Sequence, residues 1–307
     1  MTLQELRFII ALAQEQHFGK ASRVCHVSQP TLSIAIRKLE KELGVALFER
    51  TINDVRVTPL GKKIIQRAKQ VLVEADAIKQ LAQFDQDQLN GPFKLGVIYT
   101  VGPYILPPLI TELHKLAPQM PIEIQEDYTV NLRDKLNAGD LDAIIISLPF
   151  AETGVVTRNL YKEPFVVLMP ADHPLAKHQS VRPKELLEYN ILMLGEGHCF
   201  RDQVMSSCPM CFAKQPSAVN WRTVAGSSLE TVRHMVASNM GITILPATAA
   251  MTNPYQKGML LTRPLKGGSP SRVVSLAWRK SFPRVKAIQQ VLNAMNSINN
   301  LFSKINE

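Results

Sequence analysis

The first hydrophobic residues of the chain, Leu3, Leu6, Ile10 and Ala13, recur at spacings of three and four, which predicts an amphipathic helix over 1–16. A second short helix is expected from Lys20 to His26. Val27-Ser28-Gln29-Pro30 then reads as a turn in which Ser28 caps a third helix and Pro30 occupies its first turn, where a missing N–H costs nothing. That helix would bury Leu32, Ile36, Leu39 and Leu43. Its other face presents Gln29, Ser33 and Arg37, with Pro30 and Thr31 near its start, side chains suited to reading major-groove edges or gripping phosphates. An ordinary solvated helix face has the same composition, so this helix alone does not decide. Leu47–Thr51 and Val55–Thr58 flank Asn53-Asp54 as a hairpin would, and their Arg50 and Arg56 make it a basic wing.

Thr58-Pro59 opens a long helix reaching about Asp85. Ile64, Ala68, Val71, Ala75, Ile78 and Ala82 alternate at four and three, the seam of a coiled coil, which predicts dimerisation; packing against its own domain is the alternative. Leu89-Asn90-Gly91-Pro92 is a linker signal. Beyond it the pattern changes to strand (Phe93–Tyr99), helix (Pro103–Ala117), strand (Pro121–Asp127), helix (Val130–Ala138) and buried strand (Asp142–Leu148), a βαβαβ succession. Further elements are expected at Phe165–Met169, Ile191–Leu194, a helix over Ser228–Ala237, and a strand in Gly241–Pro246. Two α/β lobes follow from this alternation.

Composition adds direction. The +9 net charge is concentrated early: residues 1–72 carry 12 Lys and Arg against 6 Asp and Glu, so +6 lies in the first quarter, as a polyanion partner would require. No N-terminal apolar run follows a basic stretch and no apolar run reaches membrane-spanning length, so a cytoplasmic protein without a membrane partner is expected. Four cysteines (Cys25, Cys199, Cys208, Cys211) in 307 residues are too few for a disulfide scaffold, and any bridge in a reducing compartment would be redox-active.

Candidate chemistry centres on Gly197–Cys208 (GHCFRDQVMSSC). Cysteine reacts as its thiolate, a form favoured by positive charge or hydrogen-bond donors, which His198 and Arg201 are placed to supply to Cys199. Attack on a peroxide gives a sulfenic acid, and a second thiol such as Cys208 condenses with it to a disulfide. If Phe200–Ser207 is helical, the two Cα atoms stand roughly 13 Å apart. A disulfide tolerates about 7 Å, so bond formation would have to refold the segment. Cys208-Pro209-Met210-Cys211 leaves open a thioredoxin-like pair or, with His198 and Cys199, half of a metal site. Cys25 is expected to be a small buried hydrophobe. Thr100 and Thr129 fall just after strands, where their hydroxyls can hold a small polar ligand or merely cap helices, and Ser227 and Ser228 sit at a similar helix entrance.

Residues Phe18–Arg50, notably Ala21, Ser28-Gln29-Pro30, Leu39-Glu40, Leu43-Gly44 and Leu47-Phe48-x-Arg50, resemble the winged helix-turn-helix of the LysR-type transcriptional regulators. Thr100–Tyr104, Gly197–Gln203, Cys208 and Ser228–Thr231 narrow the resemblance to the hydrogen-peroxide-sensing members of that family. It implies an N-terminal all-α winged helix-turn-helix with a long linker helix, and a C-terminal α/β two-lobed effector domain shaped like a periplasmic binding protein. The expected borders are 1–58 for the DNA-binding domain, 59–91 for the linker and dimerisation helix with its hinge, and 92–307 for the effector domain. Lobe I of that domain takes 92–164 and 267–307, and lobe II takes 165–266. The resemblance also implies Cys199 as the peroxidatic thiol, Cys208 as its resolving partner, Thr100, Thr129 and His198 as hydrogen-bonding groups around peroxide, and Arg272 as a thiolate-stabilising arginine. Expected partners are double-stranded promoter DNA, hydrogen peroxide, further copies of the chain as a dimer or tetramer, RNA polymerase and a thiol reductant. No cofactor, metal or catalytic turnover is expected; a thiol peroxidase and a regulator answering to a small organic effector between the lobes are the alternatives.

Overall fold

The computed structural model describes residues 1–50, 55–84, 87–207, 209, 223–224, 228–251, 258–266 and 270–303. Two compact units divide the chain, one of Met1–Gln86 with Asn137–Asp140, the other of Asp87–Leu136 with Leu141–Glu307.

The first unit strings together α1 (Leu3–Glu15), α2 (Phe18–Val24), α3 (Gln29–Leu43), an antiparallel pair β1 (Phe48–Arg50) and β2 (Val55–Val57), and α4 (Pro59–Phe84). Thr2 and Glu5 close a capping box on α1, and Ser28 Oγ accepts the Thr31 N–H at 3.3 Å to start α3, as its sequence suggests. Gly44, at φ +69°, ends α3 in the left-handed region that favours glycine. Ile9, Leu12, Ala21, Leu32, Ile36, Leu39 and Leu47 fill the core.

Three expectations are corrected here. Helix α2 begins at Phe18 rather than Lys20, because His17 Nδ1 accepts the N–H groups of Gly19 and Lys20 (3.0 and 3.2 Å), a cap outside the usual Ser/Thr/Asp/Asn set. Leu3 is exposed and the buried stripe of α1 runs through Leu6, Phe8, Ile9 and Leu12; this helix is apolar on two adjoining faces, and packing chooses between them. Leu43 is exposed in the last turn of α3, beyond the reach of the core. Along α4 the seam divides: Ala68 is buried and Ile64 half-buried in this unit, whereas Val71, Ile78 and Ala82 are exposed, and Ile65, outside the seam, is buried beside Ala68.

The second unit opens with β3 (Phe93–Ile98), α5 (Gly102–Leu116), β4 (Ile122–Asp127), α6 (Thr129–Ala138) and β5 (Ala143–Ser147), with β3 parallel to both β4 and β5. This is the expected βαβαβ unit. There follow β6 (Val155–Pro170), two short 3₁₀ turns, β7 (Ile191–Leu194), α7 (Cys199–Ser207), β8 (Thr223–Val224), α8 (Leu229–Ala237), β9 (Ile242–Pro246), α9 (Ala247–Met251), β10 (Leu260–Pro264), β11 (Ser271–Arg279) and α10 (Val285–Ser303). Sheet order is β4-β3-β5-β11-β6-β9-β7-β8, with β10 also on β6.

The strand expected at Phe165–Met169 is only the end of β6, which pairs with β11 from Val155 to Pro164 and with β9 from Phe165 onward. Its first half carries Thr157, Arg158 and Asn159 in succession, so no hydrophobic alternation marks it. One strand thus serves two lobes. Lobe I packs β3, β5, α5 and α10 around Leu95, Val97, Leu109, Ile145, Val291 and Met295. Lobe II packs β6, β7, α7, α8 and β9 around Phe165, Val167, Leu192, Phe200, Val232 and Ile244.

Two buried arginines lock this unit. The β6–β11 ladder sets Glu163 opposite Arg272, and the pair closes at 2.7 Å with both side chains almost fully buried. Arg284 donates to the carbonyls of Gln88, Asn90, Gly91 and Pro92 at 2.6 to 3.2 Å, so the stretch that reads as linker is pinned to the start of α10. Removing one partner of a buried pair strands the other charge. Glu163→Ala is expected to lower unfolding stability by about 3–5 kcal/mol in urea denaturation; an unchanged midpoint contradicts the role given to this pair.

Candidate functional site

Strands β3 and β4 run parallel with Ile98 beside Asp127, so the segments that follow them, Tyr99-Thr100 and Tyr128-Thr129, leave the sheet at the same carboxyl edge. The turn between β7 and α7 meets them there. Gly197, at φ +93°, permits this turn, and a Cβ on it would stand 3.2 Å from the Tyr128 ring. Together Tyr99, Thr100, Tyr128, Thr129, His198 and Cys199 line a small pocket of about 180 Å³, its open mouth included.

Cys199 is a free, half-buried thiol and the first residue of α7, where unpaired backbone N–H groups and the helix dipole meet negative charge. Thr100 is buried; its hydroxyl oxygen accepts from Arg272 Nη1 at 2.9 Å and its carbonyl from Nη2 at 2.8 Å. With that acceptor site used, the Thr100 proton is free to donate into the pocket. The Thr129 hydroxyl oxygen is buried and has no hydrogen-bond partner among the described residues. Such an orphan hydroxyl costs about 1–3 kcal/mol unless a small polar guest satisfies it.

His198 is buried against Tyr128 and Tyr99, with ring centroids 4.9 and 6.1 Å away. Burial lowers its pKa from the usual histidine value, so at neutral pH the ring is uncharged. Of the two ways a histidine favours a thiolate, it offers a hydrogen bond rather than a charge. Arg201 does not line the thiol pocket. Its guanidinium stands 3.8 Å from the Glu196 carboxylate and borders an apolar pocket of lobe II with Phe200, Val204 and Leu229. Arg272 reaches the site through Thr100: its described hydrogen bonds go to Thr100 and Glu163, while Glu163 also accepts from the Thr248 hydroxyl at 2.6 Å.

Helix α7 has two loyalties. Phe200 and Val204 are buried in lobe II, whereas Cys199 packs against the lobe I core and Gln203, one turn on, donates to Ser147 Oγ (2.9 Å) and the Leu148 carbonyl (3.0 Å) at the end of β5. Gln203 escapes sequence reading except through its i+4 spacing from Cys199. Across the lobes, Tyr104 of α5 donates to Glu230 of α8 at 2.9 Å. Ser228 is a plain cap for α8, its Oγ accepting the Thr231 N–H at 3.2 Å.

In the first unit Gln29, Pro30, Thr31 and Arg37 are exposed on α3, and half-buried Ser33 accepts from Arg37 Nη2 at 3.0 Å. Arg56 is exposed on β2, and Arg50 ends β1 opposite Val55. Cys25 is half-buried, and burial pushes its thiol pKa up. Among the described residues no three His, Cys, Asp or Glu side chains gather as metal ligands. Cys208, Cys211, Ser227, the Asn53-Asp54 turn and the Arg50 side chain lie outside the described residues.

Comparison with known proteins agrees with this geometry. Residues 3–62 match the model of the bacterial regulatory helix-turn-helix protein, lysR family, and residues 86–297 that of the LysR substrate binding domain. The DNA-binding transcriptional dual regulator OxyR of Escherichia coli is 36% identical over 97% of this chain and 95% of its own. A full-length cysteine-to-aspartate variant of Pseudomonas aeruginosa OxyR superposes with a TM-score of 0.76 at 51% identity, covering 96% of this chain and 94% of that one. A cysteine-to-serine variant of Corynebacterium glutamicum OxyR with hydrogen peroxide bound gives a TM-score of 0.60 at 32% identity, covering 96% and 91%. The chain belongs to the LysR family of bacterial helix-turn-helix regulators and closely resembles the OxyR proteins within it.

Proposed function

We propose that this chain is a peroxide-sensing, DNA-binding transcription regulator, with residues 1–58 as the DNA-binding domain, 59–91 as the linker and dimerisation helix, and 92–307 as the sensor. Hydrogen peroxide enters the Thr100–Thr129 pocket and hydrogen-bonds to the two hydroxyls and His198. The Cys199 thiolate attacks one peroxide oxygen; the S–O bond forms, the O–O bond breaks and hydroxide leaves as water once protonated. Sulfur loses two electrons and peroxide gains them. The Cys208 thiolate then attacks the sulfenic sulfur, water departs, and a disulfide remains until a thiol reductant reopens it. Each chain is oxidised once per signal rather than turning over, so it acts as a sensor and not as an enzyme.

One observation carries this reading: Cys199–Ser207 is a helix of nine residues. Eight steps of about 1.5 Å put its end Cα atoms about 12 Å apart. A residue one peptide beyond Ser207 lies within about 3.8 Å of it, hence no nearer than about 8 Å to Cys199. Since a disulfide requires about 7 Å or less, the bond cannot form until α7 unwinds. Unwinding that runs back past Gln203 would withdraw Phe200 and Val204 from lobe II and Gln203 from lobe I, and by that route oxidation at one thiol would change how the lobes are held. Arg272 acts on this site by fixing Thr100, with its own charge met by Glu163.

Recognition of promoter DNA is assigned to α3 through Gln29, Pro30, Thr31, Ser33 and Arg37, with Arg50 and Arg56 of the wing on the backbone. The exposed Val71, Ile78 and Leu81 on the later half of α4 meet a second copy of the chain. Tetramers, contact with RNA polymerase and a cytoplasmic location follow from the resemblance; no described helix is long and apolar enough to cross a membrane.

Cys199→Ser is expected to abolish the peroxide-dependent shift of the DNA footprint, and Cys208→Ser to stop at a trappable sulfenic acid. A footprint that still shifts in Cys199→Ser overturns the reading. Gln203→Ala removes the described tie of α7 to β5, and the step from sulfenic acid to disulfide, followed by mass mapping, is expected to accelerate by up to about tenfold; a slower step would show that Gln203 assists closure instead.

A further inference from the structure

The residue that follows the reactive thiol touches the buried arginine behind it. Phe200 is buried, and the guanidinium carbon of Arg272 stands over its ring, 5.3 Å from the centroid. The Arg272 side chain has no exposed surface, so the contact is desolvated, the setting in which a cation and a ring face attract most strongly. Its described N–H bonds run elsewhere: Nε to Glu163 at 2.7 Å, Nη1 to the Thr100 hydroxyl at 2.9 Å and Nη2 to the Thr100 carbonyl at 2.8 Å. What Phe200 adds is contact with the charge itself. Glu163 and Phe165 stand two residues apart on β6, hence on one face of the strand, and the Phe165 ring meets the Phe200 ring at 5.1 Å between centroids with their planes 82° apart. Phe165 is also where β6 passes from β11 to β9, so the Phe200 ring lies at the junction of the two lobes.

We infer that Phe200 is a positioning residue for the redox switch: its ring on Arg272 holds the start of α7 in place, and the loss of that contact helps to set how oxidising the surroundings must be before the Cys199–Cys208 disulfide prevails. This rests on the peroxide-sensing reading above. Cys199 lines the thiol pocket, one peptide from Phe200. When its sulfur leaves that pocket to join Cys208, Phe200 is drawn off Arg272, whose charge keeps Glu163 and Thr100 but loses the ring. Only the reduced form then has the contact, so the contact favours the two thiols. Against glutathione the exchange is chain dithiol plus glutathione disulfide giving chain disulfide plus two glutathione thiols: the chain's S–S bond forms, the glutathione S–S bond breaks, and two electrons and two protons pass to glutathione.

The test replaces Phe200 in the full-length chain by mono-, tri- and pentafluorophenylalanine. Fluorine withdraws negative charge from the ring face in steps and leaves the shape of the ring nearly unchanged. The equilibrium constant for the exchange, read by mass mapping of the Cys199–Cys208 bond across graded glutathione buffers, is expected to rise at each step, by about threefold to tenfold in total. Fluorinated rings are also more hydrophobic, which favours the buried, reduced arrangement and pushes the constant down. The sign of the trend therefore separates attraction to the charge from plain burial. In a Phe165→Leu background the slope should persist, since Arg272 and not the neighbouring ring is its source. A flat or falling series overturns the inference, and so does a slope that vanishes with Phe165→Leu. A wild-type chain that forms no Cys199–Cys208 bond at any glutathione ratio is a different failure, sinking the sensing reading itself.

Discussion

A nine-residue helix and the disulfide proposed between Cys199 and Cys208 make incompatible demands on one segment, and the proposed switch turns on that conflict. Backbone hydrogen bonding holds α7 extended along its axis; the proposed bond from Cys199 to Cys208, one residue past the helix, is incompatible with that axis kept through Ser207. The hydrogen bonds lost in unwinding are individually worth about 1 kcal/mol net, against a covalent bond formed with loss of water, so an oxidised pair of thiols can overrule the helix while a reduced pair cannot. A switch of this sort needs no tight energetic tuning of the helix. It needs a thiol that meets the oxidant first, and a segment whose packing matters to more than one neighbour.

Both conditions are visible in how α7 is held. Its i and i+4 positions Cys199 and Gln203 belong to lobe I, and Phe200 and Val204, one residue along, belong to lobe II. The 3.6-residue period places these pairs on adjoining faces of one short helix, so the segment acts as a wedge between lobes already tied through the shared strand β6 and the Tyr104–Glu230 hydrogen bond. Glu163, Arg272 and Thr100 form the fixed wall against which the wedge rests. Because that wall is charged, buried and paired across a strand ladder, it gives a rigid frame rather than a second moving part.

Much of this was legible in the sequence, for reasons that differ by element. Ser28 and Pro30 announced α3, the alternation from Phe93 to Leu148 announced βαβαβ, and the polar-capped strand ends marked Thr100 and Thr129, because each rests on local hydrogen bonding or local periodicity. The long strand β6 was half hidden: Thr157, Arg158 and Asn159 show no alternation, and only pairing with β11 keeps them extended. His17 as a helix cap, the exposure of Leu3 and Leu43, and the pinning of the 88–92 carbonyls by Arg284 all depend on residues distant in sequence or on which of two apolar faces wins. The same holds for Gln203 and for the rings of Tyr99 and Tyr128, whose meeting with His198 no spacing rule foretells. His198 itself was read as a source of charge or of a hydrogen bond, and burial leaves the second.

Hydrogen exchange of the full-length chain, before and after one equivalent of hydrogen peroxide, addresses the conflict between helix and disulfide most directly. With the Cys199–Cys208 bond verified in the same sample by mass mapping, the amides of Phe200–Ser207 should lose their protection while those of β3 and β5 keep theirs. Persistent helical protection across that stretch in chains shown to carry the disulfide would contradict the account.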